Sequence, residues 1–230
     1  MTINLLTTFA DFFVSSLSTS ILKRARANNL VTINTIDLRQ FAIDQHRTTD
    51  DRPFGGGPGM VMKIEPIAAA LTSLGQDWDR QQSPVDQTAN NHLVILTSAK
   101  GRLFTQQTAQ RFSQMTSLTI ICGHYEGVDE RVAEHLVDEE IRIGDFVLTG
   151  GEPAALVIID AVIRLLPGVL GNQASTADES HHQPGVLGFP QYTRPETFRS
   201  WTIPQVLISG NHHQIQSWRQ NQKKKQGSTS

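Results

Sequence analysis

Two glycine-dense turns carry the residues of this chain whose types and spacing could close around a small ligand. One is Ile141-Arg-Ile-Gly-Asp-Phe-Val-Leu-Thr-Gly-Gly-Glu-Pro, which sets Gly144, Gly150 and Gly151 between a β-branched run and an apolar helix opened by Pro153. Backbone stripped of side chains can approach a ligand closely, and its N–H and C=O groups could hold an adenine edge without a charged partner. A tight structural turn would use the same glycines. The other is Cys122-Gly-His-Tyr-Glu-Gly-Val-Asp-Glu-Arg, a second strand-to-glycine turn with charges behind it. No G-x-G-x-x-G signature occurs, which disfavours a standard dinucleotide cofactor.

Other groups offer weaker chemistry. Phe54-Gly-Gly-Gly-Pro-Gly-Met-Val-Met could form an anion nest from successive N–H groups, or simply a flexible turn. It lacks the lysine and Ser/Thr of a phosphate-binding P-loop. Asp50, Asp51 and Arg52 give it a charged edge that could meet a phosphate or a base. Asp160 and Arg164, four apart on a helix, share a face. They read either as a surface pair or as an arginine pointing past the helix end toward the glycine-lined pocket. Asp178-Glu179-Ser180 reads as a solvated linker segment. The doublets His181-His182 and His212-His213 have no companion cysteine and no H-E-x-x-H pattern, so no metal site is expected.

The elements that must position these groups alternate. Strands are expected at Ile3–Thr7, Val31–Leu38, His92–Thr97, Leu118–Gly123 and Glu140–Ile143. Between them, Phe12, Leu17 and Ile21 mark one face of a first helix. Pro66 suits the first turn of another, Thr105 caps a third through Phe112, and Asp129–Val137 forms a fourth. The longest runs from Pro153 to Leu166 and stops at Pro167-Gly168. Such alternation means a mostly parallel sheet covered by helices, with ligands at the carboxyl ends of the strands, where Gly123 and the Gly144/Gly150/Gly151 cluster fall. After Gly168 the texture turns polar, and Gly171–Gln191 reads as a linker or lid. Beyond it, Asn211 can cap a short helix bearing Ile215 and Trp218, read as the core of a small domain. The Lys223–Lys225 run reads as a solvated tail that could add phosphate affinity.

Size and composition bound these readings. A chain of 230 residues holds one good-sized domain and a small appendage. The net charge of −2 gives no global nucleic-acid footprint, so any such binding must come from local patches. No apolar run is long enough to span a bilayer, and the N-terminus lacks the basic region and cleavage site of a signal peptide. The lone Cys122 excludes an intramolecular disulfide, fits a reducing cytosol, and reads as a small buried apolar residue.

Taken together, these segments resemble the TrmD family of bacterial tRNA (guanine-N1)-methyltransferases, within the SPOUT superfamily. The matching pieces are Phe54–Met62 with Pro66, Gly123 to Val132, Ile143 to Glu152, Ile159 to Gly171, Tyr192-Thr-Arg-Pro and Leu207 to His212. They cover nearly the whole chain in the family's order. The resemblance implies an α/β fold of SPOUT type, a mostly parallel sheet with a C-terminal trefoil knot and a small helical C-terminal domain. It implies residues 1–168 as the methyltransferase domain, 169–191 as an interdomain linker or lid, and 192–230 as a tRNA-binding domain with a basic tail. A cytoplasmic homodimer follows, with its active site at the subunit interface and neither membrane nor DNA as partner.

The implied cofactor is S-adenosylmethionine, with Mg2+ left open as a second. Its pocket would take Thr97, Ser98, Gly123, Tyr125, Glu126, Ile143, Gly144, Asp145, Phe146, Val147, Leu148, Gly150 and Gly151. RNA contacts would fall to Asp51, Arg52, Gly57, Gly59, Tyr192, Arg194, His212 and Arg219. Arg164 matches the family's catalytic arginine. The family usually places an Asp directly before a Ser in the linker. Here Glu179 holds that place, and a gapless alignment makes it the general base; a shift of one would give the role to Asp178. Thr97-Ser-Ala-Lys-Gly also lacks the family's proline and glutamine, and Pro153 replaces a leucine. Methylation of another RNA, or RNA binding without catalysis, are the alternative expectations.

Overall fold

A computed structural model of the chain describes residues 1–75, 91–171 and 178–225. They fall in two compact units, Met1–Gly171 and Asn172–Ser230. The first is built on five parallel strands in the order β2-β1-β6-β5-β7. These are β1 (Thr2–Thr7), β2 (Thr32–Asp37), β5 (His92–Leu103), β6 (Ser117–Cys122) and β7 (Glu139–Arg142). A small ladder of β3 (Asp50–Asp51) with β4 (Val61–Met62) lies beside them in sequence.

Side chains alternate across a strand, so each strand feeds two cores. Ile3, Leu5, Ile95, Leu118 and Ile120 belong to one buried cluster, with Phe112 and Ile158. Leu6, Val94, Leu96 and Ile121 belong to the other, with Ile67, Leu71 and Val132. Helices supply those last residues and cover both faces. In chain order they are α1 (Val14–Leu17), α2 (Ser20–Ala27), α3 (Ile64–Ser73), α4 (Gln106–Ser113), α5 (Glu130–His135) and α6 (Glu152–Ile163). Both sheet faces are thus buried, as a parallel sheet requires. The α/β fold with a mostly parallel sheet agrees with the sequence. Cys122 is fully buried, and burial pushes its thiol well above the ordinary range.

Three elements depart from expectation. The first helix is broken: a 3-10 turn at Ala10–Phe13 leads into the single turn of α1, and α2 begins anew with Ser20 at φ 48°. The hydroxyls of Ser18 and Thr19 donate to the Val14 and Ser16 carbonyls, an alternative to helix continuation. Phe13 therefore fills the core, and Phe12 stays 45% exposed. Strand β5 runs on past Thr97, because Thr97 and Arg102 both register with Ile141 and the residues between them bulge out. Finally, α6 ends at Ile163, where Leu165 and Leu166 donate to carbonyls three residues back.

The second unit has strands as well as the expected helix. β8 (Val186–Leu187) pairs with β11 (Lys224–Lys225), and β9 (Thr197–Phe198) with β10 (Trp201–Thr202). Helix α7 (His212–Gln222) is capped by Asn211, whose side chain accepts from the Gln214 N–H. The segment read as a linker includes residues 172–177, which lie outside those described. From Asp178 onward it is tied into this unit, through the β8 ladder and an ion pair with Lys223 at 2.8 Å. The lysine run is therefore partly a strand rather than a free tail. Trp218 is only half-buried and lies 6.3 Å from the Tyr192 ring, so it heads a surface contact rather than a core.

Candidate active site

The strand ends of β5, β6 and β7 meet the start of α6, and a cleft of about 450 Å³ opens there. Its floor depends on glycine. Gly151 donates its N–H to the Gly123 carbonyl at 2.6 Å, joining the start of α6 to the end of β6. A Cβ on Gly151 would overlap Thr97 Oγ1 and come within 2.8 Å of the Gly123 nitrogen. Thr97 Oγ1 is itself engaged: it donates to the Ile121 carbonyl and accepts from the Gly123 N–H. Thr97 thus ties β5 to the end of β6, and the Gly151–Gly123 bond adds the start of α6 to the same backbone-lined wall.

Every residue that the resemblance assigns to the cofactor borders this cleft except Asp145. The Asp145 carboxylate accepts from Arg142 Nε at 2.8 Å and is largely in solvent. Its neighbours Phe146, Val147 and Leu148 stand exposed at the rim, Val147 at 85%.

Charged groups at the cleft escaped the sequence reading. Lys100, in the β5 bulge, pairs with Glu130 on α5 and lies 3.8 Å from Glu140 on β7. The bond to Glu130 raises the Lys100 ammonium above its ordinary range. Glu140 Oε2 is buried without a hydrogen-bond partner. Such an acceptor beside a cleft suits a hydroxyl donor from a ligand. Only the fold brings these three elements together, so spacing gave no signal.

Glu152 was missed for a different reason. It is the first residue of α6, where a carboxylate is favoured by the helix dipole, yet it is 2% exposed. Thr7 Oγ1, at the end of β1, accepts from the Phe9 N–H and donates to Glu152 Oε1 at 2.7 Å. On its other side Glu152 Oε2 stands 3.5 Å from His124 Nδ1, which is buried without a hydrogen-bond partner. The His124 ring also meets Phe9 and Tyr125. It forms, with Thr149 and Gly150, a wall shared by the cleft and a second hollow of about 640 Å³ that Phe9, Phe12 and Arg39 line. An acid directly after Gly-Gly at a helix start was the available signal.

Arg164 is placed differently from expectation. It caps the C-terminal end of α6, whereas the cleft lies at the N-terminal end. From Ala154, which lines the cleft within α6, to Arg164 is ten residues, about 15 Å at the helical rise. A guanidinium cannot close that gap, so within one chain Arg164 does not reach the glycine-lined cleft.

Profiles of known families decide what this architecture belongs to. The one described as tRNA (Guanine-1)-methyltransferase TrmD matches residues 1–230. The chain belongs to the TrmD family. It is 49% identical to a tRNA (guanine-N(1)-)-methyltransferase of Carboxydothermus hydrogenoformans, over 96% of this chain and 82% of the relative. Relatives of the same description from Staphylococcus haemolyticus and Dehalococcoides mccartyi are 49% and 50% identical, covering 97% and 96% of this chain and 86% and 85% of their own.

The remaining positions of TrmD type are distributed over both units. In the first, the glycine-rich loop reaches the cleft wall: a Cβ on Gly59 would strike the Glu126 side chain. Met60 and Met62 exchange backbone bonds with Glu126, Gly127 and Asp129, which fixes that loop against the turn after β6. Asp51, Arg52 and Gly57 are exposed on the same loop. Tyr125 adopts φ 60°, and burial, then the nearby Asp50 carboxylate, raise its phenol above the ordinary range. In the second unit, Tyr192, Arg194, His212 and Arg219 are all exposed, with the Arg219 guanidinium 5.1 Å from the Phe189 ring centre. Glu179 is half-buried and engaged. The bond from Lys223 holds the Asp178 carboxyl below the usual carboxylate range. Among the described residues no cluster of His, Cys, Asp and Glu is arranged to hold a metal ion, and no helix is long and apolar enough to cross a membrane.

Proposed function

We propose that this protein transfers a methyl group from S-adenosylmethionine to N1 of guanine in tRNA, at the guanosine immediately 3′ of the anticodon, giving 1-methylguanosine. The observation that carries the reading is that the residues expected at the cofactor, Asp145 apart, border one cleft, in a chain matched end to end by the family. The cleft fits the cofactor chemically. Leu96, Val128, Ile143 and Ala154 offer apolar walls for a base, and exposed backbone offers its edge hydrogen bonds. Glu140 offers an unsatisfied acceptor, and Glu126 would offer negative charge to the cofactor's sulfonium or ammonium.

When bound, the cofactor supplies an electrophilic methyl group. Guanine N1 holds a proton at neutral pH and cannot attack until a base removes it. Glu179 takes that proton. Asp178 is the poorer choice, because its bond from Lys223 favours the ionised form and weakens it as a base. As N1 loses its proton, negative charge spreads to O6, where the Arg164 guanidinium, charged at all relevant pH, stabilises it.

Because Arg164 lies a helix length from its own cleft, the reading requires a second copy. The partner's Arg164 serves this chain's cleft in a homodimer. Exposed Phe12, Val14, Phe146, Val147 and Val157 on the first unit support an interface there. The trefoil knot, a tRNA-binding C-terminal domain, RNA contacts at Asp51, Arg52, Gly57, Gly59, Tyr192, Arg194, His212 and Arg219, and a cytoplasmic location belong to the same reading. It assigns no role to Mg2+.

The test is methyl transfer from labelled S-adenosylmethionine to two tRNA transcripts differing only in the base 3′ of the anticodon. Label enters the guanosine transcript and not the adenosine one. Label in neither, with the cofactor bound, would overturn this reading.

A further inference from the structure

Charge is divided unevenly along the chain. Asn172–Ser230 holds six Lys and Arg against three Asp and Glu, a net +3, which leaves −5 on Met1–Gly171. Within the basic unit, the short ladder of β9 and β10 puts Phe198 opposite Trp201. Directly opposed residues share a face of the ladder, and the two rings lie 6.0 Å apart, tilted by 43°. The Arg199 guanidinium sits over both, 5.4 Å from the Phe198 centroid and 5.8 Å from that of Trp201.

Among the described residues of this unit, none buries the rings. Phe198 is 55% exposed and Trp201 65%. The backbone adds a second oddity. Arg199 begins the two-residue turn at φ 56°, while Ser200 is not in the left-handed region. Glycine is preferred at that place in a two-residue hairpin. An arginine kept there, with its cation laid on two solvent-facing π-systems, makes a surface with aromatic faces and a positive charge beside them. Single-stranded nucleic acid is recognised by that combination: bases stack on rings and a guanidinium meets the backbone.

We propose that Phe198, Arg199 and Trp201 form a stacking platform for an unpaired base of the RNA substrate, with Arg199 reaching the adjoining phosphate. The proposal rests on the tRNA reading above. Its test is binding of a labelled tRNA transcript, and of a fully duplex RNA, to the full-length protein and its variants. Trp201→Ala and Phe198→Ala each weaken tRNA binding about tenfold, within the range for loss of one base–aromatic stack. Trp201→Phe keeps a π-face and binds nearly as the wild type. Arg199→Gln weakens binding and lowers the slope of affinity against salt by about one. Duplex RNA binds all of them alike. The side chains are exposed, so melting temperatures stay at the wild-type value, which separates lost contact from lost fold.

Wild-type tRNA affinity in Trp201→Ala overturns the proposal. So does an equal loss for duplex RNA, which offers no splayed base. Methyl transfer by the wild type, read on the same transcripts, reports separately on the reading beneath it.

Discussion

The two units differ in what holds them together. Met1–Gly171 buries its strands on both faces, Ile3, Leu5 and Ile95 in one core and Leu6, Leu96 and Ile121 in the other. No residue of 178–224 is buried. That unit relies on two short ladders, ring contacts such as Tyr192 with Trp218, and the exposed pair Asp178–Lys223. Exposed pairs contribute little, so its local stability belongs at the low end. The contrast separates two jobs. A cleft defined by sub-ångström fit, such as Gly151 against Thr97, needs a close-packed frame. A surface proposed to meet a large polyanion and to carry the base can be loosely held, and it carries the positive charge.

Changes in the two regions should therefore fail differently. The largest effect is expected from Arg164→Ala: kcat falls about 10²–10³-fold, as for loss of a charge-stabilising donor, while cofactor affinity stays unchanged in calorimetry. Full activity in that variant would remove Arg164 from the chemistry. Gly151→Ala acts on the frame itself. Its methyl group overlaps Thr97 Oγ1, so cofactor binding is lost and stability falls by about 1–3 kcal/mol. Wild-type cofactor affinity there would mean that the wall is not the binding surface.

Thr7→Val is subtler. It removes the hydroxyl that donates to buried Glu152 and accepts from the Phe9 N–H. An unsatisfied buried carboxylate oxygen costs about 1–3 kcal/mol, read as a lowered melting temperature. An unchanged melting temperature would show that Glu152 finds another donor.

The smallest effect belongs to the second unit. Asp178 titrates below its ordinary value in the folded chain. It therefore adds stability above its unfolded pKa, about 3.9, and loses it as pH falls through the folded value. Lys223→Ala should return Asp178 to the ordinary carboxylate range in an NMR titration, with little change in melting at neutral pH. An unmoved Asp178 would contradict the pair.

How much of this the sequence disclosed follows from how local each signal is. Caps are local, and Thr105 and Asn211 each accept the N–H that their position promised, while Asp129, read as the first residue of a helix, caps it instead. The sheet was legible because β-branched runs such as Leu118–Cys122 are buried on both faces. The break at Ser18–Ser20 was not, because hydroxyl-to-carbonyl bonds compete with a helix that apolar spacing favours. At the site, glycine density pointed to the turn, but nothing along the chain could show Lys100, Glu130 and Glu140 meeting across three elements. Arg164 shows the converse. Its four-residue spacing from Asp160 fixes a helix face and says nothing about which end faces the cleft.

That separation of Arg164 from the cleft makes the central claim testable in one mixture. Arg164→Ala and Gly151→Ala are each inactive alone if the site draws its cleft from one chain and its arginine from another. Unfolded together and refolded as mixed dimers, half the molecules pair one of each, with one intact site apiece. About a quarter of wild-type methyl transfer to tRNA should return. A mixture as inactive as its parents, with mixed dimers confirmed, would place arginine and cleft in the same chain and contradict the account.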